Sequence, residues 1–317
     1  MTLLSSSFDS MSNSVSAIEY PTDLTFYLRK IVAYVTYAMI SVAALVLIFV
    51  GLSRGHVEVL NLLELQRVGA IVWIGRPLLF VRSLTAVGLL STANLALVYN
   101  GFVSYFIVTQ NPWYKTLLAA NEVTWMVAIV NDIAMAFTRE HTIYYATINS
   151  ILVWLATAIL GLTTPVQHSA TTNKQCSVIQ MDFQVVCTSG VVAIGRLSRL
   201  ALILGMVLGF NLGCFVIAKY LVRRQRPPAA KSLFLYAGTR YLFMTNRWTY
   251  KNVYYMDRAS AILNGILTLR WKQAMFGLDI KLWRTFRVDL WDESDIPVDH
   301  PLSEAASFAL PLSLEDE

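Results

Sequence analysis

The sequence predicts an all-α fold, a polytopic transmembrane helix bundle of about five spans with a small, partly helical cytoplasmic C-terminal region. Three observations carry this prediction. The 317 residues are 56% hydrophobic and only 14% charged, with a mean hydropathy of +0.53, well outside the range of a water-soluble domain. The run Leu200 to Leu221 holds no charge before Lys219 and is long enough to cross a hydrocarbon core roughly 30 Å thick. Within it Gly205, Gly209 and Gly213 recur every fourth residue, the spacing that opens a smooth groove for close approach of another helix.

Taken in order, residues 1–30 form a polar, Ser-rich segment with neither an apolar core nor an early basic cluster, so no cleavable signal peptide is expected. The transmembrane region, 31–222, holds spans at Ile31 to Leu52, Leu78 to Tyr99, Leu117 to Phe137, Ile143 to Leu162 and Leu200 to Leu221. Val59 to Ile74 is read as an interfacial helix, because Arg76-Pro77 interrupts the apolar run that follows it. A sixth span over that stretch is the alternative.

Orientation follows from the basic flank Lys219, Arg223, Arg224 and Arg226, which places the C-terminus in the cytoplasm. The loop before the fifth span then faces an oxidising compartment, and its Cys176 and Cys187 are expected to form a disulfide. Cys214 lies among the glycines as a small packing residue.

Residues 223–287 carry thirteen Lys or Arg against Asp257 and Asp279, interleaved with aromatics. This basic-aromatic composition suits either an anionic headgroup zone or a small folded domain. Asp257 or Ser260 is expected to cap a helix through Ala261 to Trp271. Residues 288–317 carry nine Asp or Glu and no Lys or Arg, and are read as a mostly disordered acidic tail, either simply solvated or a latch that competes with lipid for the basic section.

Charged residues within spans are costly and are the first functional candidates. Arg82, Glu122 and Asp132 are such residues, and equal depth in antiparallel helices favours pairing Arg82 with Asp132. Glu122 then meets Arg196 or Arg199 at the entrance of the fifth span. Asn121, Trp125 and Asp132 fall on one side of the third span, a face that either lines a polar route or packs inward. Asn149, Trp154 and Asn211 are read as interhelical contacts.

No phosphate loop, H-E-x-x-H, C-x-x-C or G-x-S-x-G occurs, and His56, His141, His168 and His300 are scattered. No enzymatic activity, cofactor or metal is therefore expected. The expected partners are the bilayer, its anionic lipids, and a second copy or other membrane proteins; nucleic acid is not among them. Plasma membrane or a secretory-pathway membrane is the expected location. The leading function is a structural or interaction protein that assembles by helix packing, and the alternative is a transporter or channel for a small polar solute or ion.

The blocks WIGRPLLFVRSLTA (Trp73 to Ala86), WYKTLLAANEVTW (Trp113 to Trp125) and DRASAILNGILTLRWKQAMFGLDIKLWR (Asp257 to Arg284) resemble, in that order, a family of uncharacterised multi-pass membrane proteins of oomycetes such as Phytophthora. The resemblance implies a membrane protein and no particular activity or site.

Overall fold

The computed structural model describes residues 22–101, 104–109, 111–171, 176–180, 184–187, 191–222, 234–242, 248–251, 253–271, 274–289, 296–297, 300 and 302–313. Helix α1 (Thr22–Leu52) is followed by α2 (Val59–Ile74) and α3 (Arg76–Leu90), which meet at a bend of 108°. Gly75 lies at this corner with φ 93°, and Pro77 occupies the first turn of α3, where its missing N–H costs nothing.

The expected second span ends early. Leu95–Tyr99 (β1) and Ser104–Val108 (β2) form an antiparallel hairpin beyond α3, with Tyr99 opposite Ser104 and Gly101 in the connection at φ 81°. Asn-Gly between two short runs rich in β-branched and aromatic residues is a local turn signal, and it outweighs the hydropathy of this stretch.

Helices α4 (Trp113–Glu122) and α5 (Thr124–Thr138) follow, separated at Val123. The chain then reverses at Arg139, which takes φ 43°, into α6 (Thr142–Thr163). Trp154 donates its indole N–H to the Leu117 carbonyl at 3.2 Å, so α6 returns alongside α4. Strands β3 (Ser169–Thr171), β4 (Cys176–Gln180), β5 (Gln184–Cys187) and β6 (Val191–Ala193) make two small antiparallel ladders, β3 with β6 and β4 with β5. Cys176 stands directly opposite Cys187 in the backbone register, while their side chains lie outside the described ones. Helix α7 (Leu197–Leu221) completes the helical part.

The C-terminal region is not the helical appendage that the all-α reading required. After α8 (Ala237–Leu242) come β7 (Thr249–Tyr250), β8 (Val253–Met256), α9 (Arg258–Leu263), β9 (Ile266–Trp271), β10 (Ala274–Asp279), β11 (Arg284–Asp289), α10 (Ser303–Ala306) and β12 (Leu310–Ser313). They build two three-stranded antiparallel sheets, β11-β10-β9 and β12-β8-β7. Asp257 does cap a helix, accepting from the Ser260 N–H at 3.0 Å, but that helix ends at Leu263 and Ile266–Trp271 is a strand. Asn264-Gly265 forces the change, since Gly265 takes φ 78° where a side chain is strained.

The acidic tail is likewise partly ordered, because β12 pairs with β8 and buries Leu310 and Leu312. Its apolar alternation, rather than its charge, decides its conformation. Arg223, Arg224 and Arg226 lie outside the described residues.

Three helical stretches are long and apolar enough to cross a membrane, Asp23–Leu52, Trp113–Thr163 and Leu197–Leu221, or four if the bent α2–α3 pair counts as one. The five-span all-α bundle is corrected accordingly.

The β-rich unit shares one core with the helices. Leu65 and Val68 of α2 and Met135 of α5 join Tyr254, Met256, Leu263, Ile266, Met275 and Leu310. Two glycines allow this docking. A Cβ on Gly69 would lie 2.7 Å from the Leu263 side chain, and one on Gly265 would lie 2.7 Å from Val72. Trp73 of α2 donates to the Ile262 carbonyl at 2.8 Å, and Arg258 stacks over Phe49 of α1 at 4.7 Å.

Candidate functional site

The charges inside the helical part are paired, but not as depth alone predicted. Arg82 of α3 meets Glu122 at the end of α4 side-on. Its Nε donates to Oε2 at 2.6 Å and its Nη2 to Oε1 at 2.7 Å. Its Nη1 donates to the Thr36 hydroxyl of α1 at 2.8 Å, so one guanidinium ties three helices. A planar fork on a carboxylate is the strongest form such a pair takes.

Asp132 is held instead by Arg76, whose Nε lies 2.5 Å from Oδ2. Arg76 also donates to the Tyr236 hydroxyl at 2.7 Å, which in turn lies 3.4 Å from the same carboxylate oxygen. Burial, followed by the Asp132 carboxylate, pushes the Tyr236 phenol up, and Arg76 partly offsets this. The expected pair of Arg82 with Asp132 is therefore corrected. Asp132 lies on α5, ten residues beyond Glu122, and Arg76, at the start of α3 just after the Gly75 corner, is the guanidinium that reaches it. The match of Glu122 with Arg196 or Arg199 is also overturned. Arg199 donates to Thr164 Oγ1 at 2.8 Å and to the Leu160 carbonyl at 2.6 Å, and Arg196 is exposed.

The proposed face of Asn121, Trp125 and Asp132 does not form one polar surface. Asn121 is exposed, and Trp125 packs against the cluster of Val35, Ile71, Leu79 and Ile129. Polar side chains gather instead around Asn131, about 100° around the helix from Asp132. Asn131 accepts from Asn149 of α6 at 3.2 Å and from the Asn211 amide of α7, and all three asparagines are buried. Asn149 Oδ1 is itself buried without a partner.

Beside this cluster lies a cavity of about 260 Å³, whose polar wall includes Glu64, Arg67, Asn131, Asp132, Thr142 and Thr147. Thr147 donates to Glu64 Oε2 at 3.1 Å, and Arg67 Nη1 donates to Ser150 Oγ. Glu64, Arg67, Arg76 and Asn131 are the residues that sequence reasoning missed. Glu64 and Arg67 carry a signal, since charges three residues apart share one side of α2.

On α7 the buried stripe is Ile203, Val207, Asn211 and Ala218. Gly205, Gly209 and Gly213 lie on the other side, and a Cβ built on any of them meets nothing within 4 Å. The glycines therefore do not pack against another helix among the described residues. Cys214 is a half-buried free thiol on the same helix.

Among the described residues no three His, Cys, Asp or Glu side chains gather in a metal-binding group. Fold and site together define a helical bundle with membrane-length apolar helices, internal ion pairs and a docked β-rich unit. No protein-family model, curated protein or solved structure matches the chain.

Proposed function

We propose that this is an integral multi-pass protein of the plasma or secretory-pathway membrane that serves a structural or interaction role, assembling with a second copy of itself through α7. The observation that carries the reading is the bare glycine face. Each glycine in a helix interior costs roughly 1 kcal/mol relative to alanine, and three of them at one spacing meet nothing among the described residues. Their return lies between chains, where absent side chains let two backbones approach. Leu202, Leu212 and Val216 are exposed on the same side and supply the flanking contacts.

The internal pairing of Arg82 with Glu122 and of Arg76 with Asp132 supports a structural role for those charges. The β-rich unit belongs to the cytoplasmic side in this reading. Its exposed Trp271 and Trp283, with Arg270 and Arg284, are suited to anionic headgroups. Gly209→Leu should lower the oligomeric state of the purified protein in lipid nanodiscs while leaving its melting temperature nearly unchanged. An unchanged oligomer, or a monomeric parent protein, would remove the α7 reading.

The polar cavity beside Asn131 favours a second reading, a route for a small polar solute or ion. It is tested by single cysteines at Ala128 and Thr147 in a background without native cysteines. Rapid labelling by a membrane-impermeant thiol reagent from either side supports a water-filled route, and protection in the folded protein counts against it.

A further inference from the structure

The end of the bundle remote from the β-rich unit holds a second and larger cavity. The ends of α3, α4, α6 and α7, with the segments after α3 and α6, surround a volume of about 620 Å³. Such a volume is typical of sites for small organic ligands.

Its wall contains a cation that no described carboxylate neutralises. Arg199, in the first turn of α7, donates only to neutral acceptors, Thr164 Oγ1 and the Leu160 carbonyl, and its Nε is buried with no partner. No carboxylate among the described residues pairs with it. His168 lines the same cavity, and its Nδ1 is likewise buried without a partner. A cation held by neutral groups, with an unpartnered ring nitrogen in the same wall, is an arrangement completed by an anion. The rest of the wall includes Trp113, Leu89, Leu162 and Pro165, surfaces that favour an apolar body over a fully hydrated ion. Asn94 and Asn111, 3.5 Å apart, bring neutral polar groups to the rim.

We propose that this cavity binds a small organic monocarboxylate, its carboxylate on Arg199 and His168 and its apolar body against Trp113 and Leu162. One formal cation matches one negative charge, whereas a phosphate dianion leaves a charge uncompensated in a wall whose other lining side chains, His168 apart, are neutral. The site is independent of assembly through α7, because the glycine face lies further along that helix.

The test is calorimetric titration of the full-length protein in nanodiscs with benzoate, its neutral isostere benzamide, and inorganic phosphate. Benzoate is expected to bind at least about tenfold more tightly than benzamide or phosphate, since a hydrogen bond to a charged group is worth that much. Arg199→Gln should weaken benzoate by at least about the same factor, and Arg199→Lys by less. Asn111→Asp, an exposed change that does not touch the helical core, should also weaken benzoate by placing a negative charge at the rim. Equal affinity for benzoate and benzamide, benzoate binding by Arg199→Gln or Asn111→Asp at the parent affinity, or tighter binding of phosphate would each overturn the assignment. So would absence of benzoate binding to the folded parent protein.

Discussion

Arg82 and Glu122 face each other side-on within the helical bundle, with Nε–Oε2 at 2.6 Å and Nη2–Oε1 at 2.7 Å, and the same guanidinium reaches Thr36 of α1. This contact joins the first helix to the third and fourth at a depth where either charge alone is poorly solvated. Breaking it from one side leaves an uncompensated charge, at a cost of about 3–5 kcal/mol for a well-buried pair and less here, because the Glu122 side chain is 31% exposed. Arg82→Met or Glu122→Met alone should lower the melting temperature markedly, and the double variant should recover most of the loss. A double variant as unstable as the worse single one would show that the pair is not the source of the effect.

Asn131 is the shared acceptor for two buried amides on neighbouring helices. Asn131→Leu should destabilise the bundle by about 1–3 kcal/mol, because Asn149 and Asn211 both lose their acceptor. Chemical denaturation in detergent measures this. Asn211→Leu, which strands no second amide, should cost less.

Gly265 combines φ 78° with a 2.7 Å approach to Val72. Gly265→Val should strain the turn and push the β-rich unit off α2, by about 2 kcal/mol or more. Faster proteolysis within the C-terminal unit, with the helical part still protected, is the expected outcome of a limited-digestion time course.

Tyr254 donates to Glu58 Oε2 at 2.8 Å and is buried. Burial first, and then the Glu58 and Asp257 carboxylates, push its phenol well above the ordinary tyrosine value. The folded state therefore keeps this proton longer than the unfolded chain. The resulting stability is present below the unfolded value of about 10 and is lost as pH rises through it toward the folded value. Between about pH 9 and 11 the parent protein should lose more stability than Tyr254→Phe, as read from melting temperatures. Parallel losses in the two proteins would contradict this.

The sequence is most informative where one period dominates. Thr142–Thr163 and Leu197–Leu221 are apolar over a full span, and hydropathy alone recovers them within a few residues. Val59–Ile74 is legible as a helix because Arg76-Pro77 marks its end. The C-terminal sheets are misread because their basic and aromatic side chains are counted without regard to position. Ile266, Thr268 and Arg270 alternate with Leu267, Leu269 and Trp271, a two-residue period that belongs to a strand. Leu310-Pro311-Leu312 alternates in the same way inside a segment judged by its acids. The ion pairs fail for another reason. Depth along a helix follows from residue number, but the partner depends on rotation and on the bend at Gly75, which brings Arg76 beneath Asp132.

Assembly through the glycine face of α7 is tested most directly by disulfide cross-linking in the membrane. Single cysteines replace Val216, on the glycine side, and Leu208 and Ile217, about 100° and 80° around the helix from Gly209, in a background lacking Cys176, Cys187 and Cys214. Val216→Cys should form a covalent dimer rapidly and the other two little, with the Val216→Cys product abolished by adding Gly209→Leu. Equal cross-linking at all three positions, or none at Val216→Cys in the folded protein, would contradict it.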